Sequence, residues 1–186
     1  MMRLLGFLPL FFLMACASVQ KAPPTEVSSK TPASIKSWSM DGRIGVQSTE
    51  GAWHANLYWE HAPEQDRLRI SGPLSQGLVS IIVQKDLIYL NEGNGVTSLS
   101  RDPDAMLRQR LGFAIPLTSL RYWILGVSDP EKKSVSLATG GFKQAGWEVA
   151  SDKLTTVDGW MLPQKLRVQG AGVKLKILAD SWDIKG

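Results

Sequence analysis

From Ile35 to the C-terminus the chain is written in short runs that alternate apolar and polar residues, the period of strands with one face buried. The clearest run is Trp53-His54-Ala55-Asn56-Leu57-Tyr58-Trp59-Glu60. Trp53, Ala55, Leu57 and Trp59 share one face; His54, Asn56, Tyr58 and Glu60 share the other. Comparable runs cover Trp38 to Gln47, Arg67 to Ser71, Leu78 to Gln84, Leu87 to Asn91, Ser134 to Thr139, Trp147 to Ser151, Lys165 to Gln169 and Val173 to Leu178. Gly, Asn, Asp or Pro separates nearly all of them at spacings that suit antiparallel hairpins, and there is no long crossover of the kind a parallel pair needs. The expected class is mainly β, a barrel or strongly curved antiparallel sheet.

Twice the period becomes helical. Asp102 can cap a helix with Pro103 in its first turn, running through Met106, Leu107 and Leu111 to a stop at Gly112. Ile115 to Gly126 then sets Leu117, Leu120 and Ile124 on one stripe. Two such helices, inserted midway through a curved sheet, can cover its open end like a lid over a hollow interior.

Ahead of the sheet stands a different kind of segment. Met1-Met2-Arg3 is followed by an apolar run from Leu4 to Met14 and by Ala15-Cys16, the single cysteine of the chain. One positive residue, a short apolar stretch and a small residue describe a secretory signal, too short to span a membrane as a mature helix. Because Ala15 is followed at once by cysteine, Leu13-Met14-Ala15-Cys16 resembles a bacterial lipobox, with Met14 a mild departure at its middle position. In that reading residues 1–15 are removed and Cys16 becomes a lipidated N-terminus. Residues 16–34 follow as a tether, rich in Pro, Ser, Thr, Ala and Lys, with a root-mean-square reach of roughly 25 Å and an extended limit of about 60 Å. Residues 35–186 form the folded domain.

Composition narrows the function classes. The 186-residue chain carries a formal charge of +4, and its Lys and Arg are scattered singly, so no block reads as a nucleic-acid surface. Beyond the signal no apolar stretch approaches the length of a membrane span. There is no G-x-S-x-G elbow, phosphate-binding glycine loop, H-E-x-x-H or paired-cysteine spacing, which argues against an enzyme and against a cofactor. His54 and His61 lack an obvious third ligand, so no metal site is expected. Asp102 and Asp104 are explained by a helix N-terminus.

The aromatic residues permit two readings. Trp38, Trp53, Trp59, Trp123, Trp147, Trp160 and Trp182 can fill a core, or some can line the wall of a cavity that so many strands would enclose. The turn Gly72-Pro73-Leu74-Ser75-Gln76-Gly77 likewise places a large apolar residue at its tip, which is either an ordinary exposed leucine or a functional one.

Over its whole length the chain resembles the LolB family of outer-membrane lipoprotein receptors. The resemblance is carried by Cys16, Gly42-Arg43, Trp59, Asp66-Arg67-Leu68-Arg69-Ile70, Gly72-Pro73-Leu74, Val173-Lys174-Leu175-Lys176-Ile177 and Trp182. Most specific is Ile115-Pro116-Leu117-Thr118-Ser119-Leu120-Arg121-Tyr122-Trp123-Ile124-Leu125-Gly126. Ser75 stands where the family commonly has Gly. The resemblance implies an unclosed antiparallel β-barrel of about eleven strands, with helices forming a lid over an apolar cavity. It implies lipidation at Cys16, with diacylglyceryl and palmitoyl groups, and outer-membrane placement facing the periplasm. It further implies acceptance of lipoproteins from a periplasmic LolA-like carrier, binding of client acyl chains, and insertion into the membrane's inner leaflet through Leu74 and Pro73. Trp38, Trp53, Leu57, Trp59, Leu117, Leu120, Trp123 and Ile124 are the expected cavity residues, and a monomer is the expected form. Two other readings are a structural envelope lipoprotein that binds a protein partner and a LolA-type lipid carrier; Cys16 argues against the second.

Overall fold

The computed structural model describes residues 30–72, 77–93 and 95–185. A 3-10 turn, Pro32–Ser34, precedes the strands β1 (Ser37–Ser48), β2 (Gly51–Ala62), β3 (Gln65–Ser71), β4 (Val79–Gln84), β5 (Leu87–Asn91) and β6 (Thr97–Ser100). The helices α1 (Pro103–Leu111) and α2 (Leu117–Trp123) follow, and then β7 (Ser134–Ser136), β8 (Phe142–Gln144), β9 (Trp147–Val157), β10 (Trp160–Gly170) and β11 (Val173–Lys185). All strands belong to one sheet in the order β6-β5-β4-β3-β2-β1-β11-β10-β9-β8-β7, and every pairing within it is antiparallel.

Two meanders are joined through the β1–β11 pair. The outermost strands β6 and β7 do not pair with each other, so the barrel is unclosed. The chain crosses between those two edges through α1 and α2, and that connection puts the helices at the gap. Asp102 caps α1 by accepting from the Ala105 amide at 2.9 Å, and Gly112 ends it in the left-handed conformation with φ of 79°.

The register defines two ends. At one lie the β1–β2 turn, the β10–β11 turn and the residues between β3 and β4. At the other lie the start of β1, the β2–β3 turn and the β9–β10 turn. This second end is filled with aromatic rings. Trp38 is fully buried, with its ring centroid 5.4 Å from Trp59, 5.5 Å from His61 and 5.5 Å from Trp182.

Three strands run further than their alternation suggests, each for a local reason. In β11 the buried positions are Val173, Leu175, Ile177 and Ala179, whereas Trp182 and Ile184 continue in the opposite phase. Between them β1 and β11 change register, with Asp41 opposite Ser181 and Gly42 opposite Ala179, so Asp180 is the extra residue of a bulge. In β10 the register shifts at Pro163 and Lys165, and the strand begins at Trp160. The second half of β9 is mostly exposed on both faces, so no hydrophobic period marks it. The short strands β6 and β8 were not among the expected runs, while α2 is shorter than the expected Ile115–Gly126 helix and ends at Trp123.

Candidate functional site

The concave face of β1 to β5 and the inner faces of both helices surround an apolar cavity of about 360 Å³, within the range of roughly 300–1,000 Å³ usual for small-molecule sites. Its wall is built from alternate residues of neighbouring strands: Ala55, Leu57 and Trp59 of β2, Leu68 and Ile70 of β3, Val79 and Ile81 of β4, and Leu90 of β5. The roof is Leu107 and Leu111 of α1, Ile115 between the helices, and Leu117 and Leu120 of α2. Trp59 is the floor, since its ring faces the cavity and also packs on Trp38. The opening lies at the end away from that aromatic plug, where Trp53, 37% exposed, and Glu92 border it. Gly72 and Gly77 also line the cavity there, and they bracket residues 73–76.

Of the residues expected to line the cavity, Trp53, Leu57, Trp59, Leu117 and Leu120 do so; Trp38, Trp123 and Ile124 do not. Trp38 lies beneath Trp59 in the closed end. Trp123 points away from the cavity because its indole is held elsewhere: Nε1 donates to Gln144 Oε1 at 2.7 Å, and the ring sits 6.2 Å from Trp147 and 6.5 Å from Phe142. Ile124 caps the end of α2 and is buried in the core, so the inner stripe stops at Leu120. Cys16, Pro73 and Leu74 lie outside the described residues.

Two buried polar clusters hold α2 in place, and neither was read from the sequence. In the first, Asp66 of β3 is buried and accepts from Trp59 Nε1 at 2.9 Å through Oδ1, which also lies 2.8 Å from His61 Nδ1. Its other oxygen lies 3.3 Å from Arg121 of α2. In the second, Ser119 Oγ donates to Asp129 Oδ2 at 2.8 Å, and Lys132 Nζ donates to Ser119 Oγ at 2.6 Å. Gln144 accepts the Asp129 amide and returns its own amide to the Asp129 and Lys132 carbonyls. Burial works against the ionised form of Asp129, but the hydrogen bonds from Ser119, the Glu131 amide and Lys132, with the charge of Lys132, hold its carboxyl below the ordinary aspartate range. The asymmetry with α1 is plain. Helix α1 is tied by Arg110 to Ser98 at 2.6 Å and by Thr118 to Asp104 at 3.2 Å, contacts that are exposed or only partly buried.

An unclosed antiparallel barrel whose gap is bridged by helices over an apolar cavity defines a receptor or carrier of a hydrophobic molecule. The family model described as outer membrane lipoprotein LolB matches residues 36–182. The chain is 30% identical over 175 residues to the outer-membrane lipoprotein LolB of Thiobacillus denitrificans, covering 91% of each. It is 26% identical over 189 residues to that of a Marinomonas species, covering 98% of each. Among solved structures, a LolA superfamily protein from Nitrosomonas europaea superposes with a TM-score of 0.51 at 10% identity, covering 82% of this chain and 88% of that one, and it shares the fold. The chain belongs to the LolB family of outer-membrane lipoproteins. It is a transport receptor of the outer membrane and not an enzyme.

Proposed function

We propose that this protein, anchored through Cys16, accepts lipoproteins from a LolA-type periplasmic carrier, shelters their acyl chains in the cavity under α1 and α2, and releases them into the inner leaflet of the outer membrane. The observation that carries this reading is the cavity itself: hydrocarbon on nearly every side, open at one end, in a chain of this family. Each buried methylene holds a lipid chain in a bilayer by about 0.8 kcal/mol, so an acylated protein needs an apolar shelter to cross water. A receptor that binds the chains more tightly than the carrier draws the transfer forward, by about 1.4 kcal/mol for each factor of ten. One chain supplies the whole cavity, which supports a monomer as the working form.

Trp53, Leu57, Trp59, Leu117 and Leu120 are proposed to contact the acyl chains. Leu74 and Pro73 are proposed to enter the bilayer, a reading supported by Gly72 and Gly77, which precede and follow residues 73–76 in the sequence and both border the cavity. The test is transfer in vitro. A purified domain of residues 17–186, mixed with a LolA-type carrier loaded with lipoprotein, should take up the client without any nucleotide. Failure to accept the client, together with no saturable binding of an acyl probe, would refute the receptor reading. Acyl binding without acceptance from the carrier would instead favour the lipid-carrier alternative.

A further inference from the structure

Among the described residues, formal charge reaches the cavity wall at one place. Of the described residues that line it, Glu92 and Arg110 alone carry a formal charge. Arg110 stands in the last turn of α1, and Glu92 directly follows β5. Their side chains are 42% and 39% exposed, so the pair sits where the hydrocarbon interior meets water. Arg110 Nη2 donates to Ser98 Oγ on β6 at 2.6 Å, which fixes the guanidinium at the rim. Its Nη1 lies 3.6 Å from a Glu92 oxygen, a counter-charge beyond hydrogen-bond reach, so Nη1 keeps donor capacity for another acceptor.

A lipid whose chain lies against Leu107, Leu111 and Leu120 brings its first polar group to that rim. In an O-acyl glycerol this group is a carboxylic ester, whose carbonyl oxygen accepts a hydrogen bond without carrying charge. A fatty acid presents a carboxylate there, and a phospholipid presents a phosphodiester close by; either anion meets Glu92. Resting on the receptor reading above, we propose that Arg110 positions the neutral ester carbonyl of an acyl-glyceryl group at the cavity rim, and that Glu92 discriminates against anionic lipids. Such a pair would keep a receptor that sits in a phospholipid membrane from filling with that membrane's own lipid.

The experiment compares three probes of equal chain length: monopalmitoylglycerol, its ether analogue 1-O-hexadecylglycerol, and palmitate. The parent protein should bind the ester about tenfold more tightly than the ether, as expected for a charge-assisted hydrogen bond at a partly wet site. Arg110→Met should bring the ester down to the ether's affinity and leave the ether unchanged, with Arg110→Lys restoring part of the difference. Glu92→Gln should strengthen palmitate binding several-fold without moving the ester. Equal binding of ester and ether by the parent would overturn the proposal, as would an Arg110→Met variant that weakens both alike, because Arg110 would then only latch α1. Binding of none of the three probes would instead overturn the receptor reading on which the proposal rests.

Discussion

Gly42 and Arg43 show what single residues contribute to this sheet. A Cβ at Gly42 would lie 2.1 Å from the Leu178 carbonyl oxygen, so β1 and β11 can approach at the bulge only because that side chain is missing. Arg43 then takes the extra residue of the bulge, donating to Asp180 from Nη2 at 2.7 Å and from Nε at 3.2 Å. Both partners are exposed, so the pair adds little stability, whereas the glycine is indispensable. Gly42→Ala is expected to cost about 2–3 kcal/mol in a urea titration, since the strand pair that joins the two meanders must part. Leu74 is a residue of the opposite kind, expected to matter for delivery and hardly for folding. Burying one leucine in a bilayer contributes about 1.5–3 kcal/mol, enough for a transient dip and too little for anchoring. Leu74→Glu should shift stability by no more than about 0.5 kcal/mol and still accept client from the carrier, yet fail to pass it into liposomes. Unimpaired delivery would remove Leu74 from the mechanism.

At the scale of elements, the two lid helices are held by different physics. Helix α2 is bound to the sheet and to the following loop by buried groups that cannot be exposed without large penalties: Asp66 with Arg121, Ser119 with Asp129, and Trp123 with Gln144. Helix α1 has polar ties that are exposed or only partly buried. Amide hydrogen exchange should therefore be faster in residues 103–111 than in residues 117–123, and a bound acyl probe should slow α1 while leaving α2 nearly unchanged. Equal protection of the two helices would mean that the lid moves as one piece. The Asp129 cluster also predicts a pH dependence. Its carboxyl is held below the ordinary range, so the folded protein gains stability from it at neutral pH and loses that gain as the pH falls below about 4. Asp129→Asn should be less stable than the parent at pH 7, and its stability should fall less steeply between about pH 5 and pH 3.

For the whole molecule the relevant fact is that Lys30, where the described chain begins, and the cavity opening lie at opposite ends. Lys30 pairs with Trp160 in an isolated bridge, donates from Nζ to the Asp158 carbonyl at 3.0 Å, and lies 5.2 Å from the Trp160 ring centroid. That places Lys30 at the β9–β10 turn, beside the aromatic plug. The thirteen residues of β11 span about 40 Å, and residues 16–29 reach at most about 50 Å. If Cys16 is lipidated, as proposed, it can share a membrane with the opening only where residues 16–29 span most of the barrel's length. Deleting residues 20–27 should preserve anchoring and acyl binding but abolish delivery into the vesicle that carries the anchor, while delivery into separate vesicles continues. Delivery to the anchoring vesicle that survives this deletion would show that the opening reaches the membrane by another route.

The sequence by itself determined the class of fold, the capped α1, the lid's place between strands, and the inner faces of β2 and α2 through Leu120, because each follows from a local period or a local cap. It also carried the family, through motifs that survive as linear text. Tertiary structure alone decided which tryptophans line the cavity. Trp38 and Trp59 both fall on the inner face of the barrel, and only the depth of the aromatic plug assigns Trp59 to the floor and Trp38 to the core beneath it. Trp123 was turned away from the cavity by Gln144, 21 residues on. Asp66 and Arg121 meet across 55 residues of chain, and the Asp180 bulge reversed the phase of β11 where alternation alone would have ended the strand. Periodicity records which side of an element is buried; what that side is buried against depends on contacts between elements distant in the chain, which no local pattern encodes.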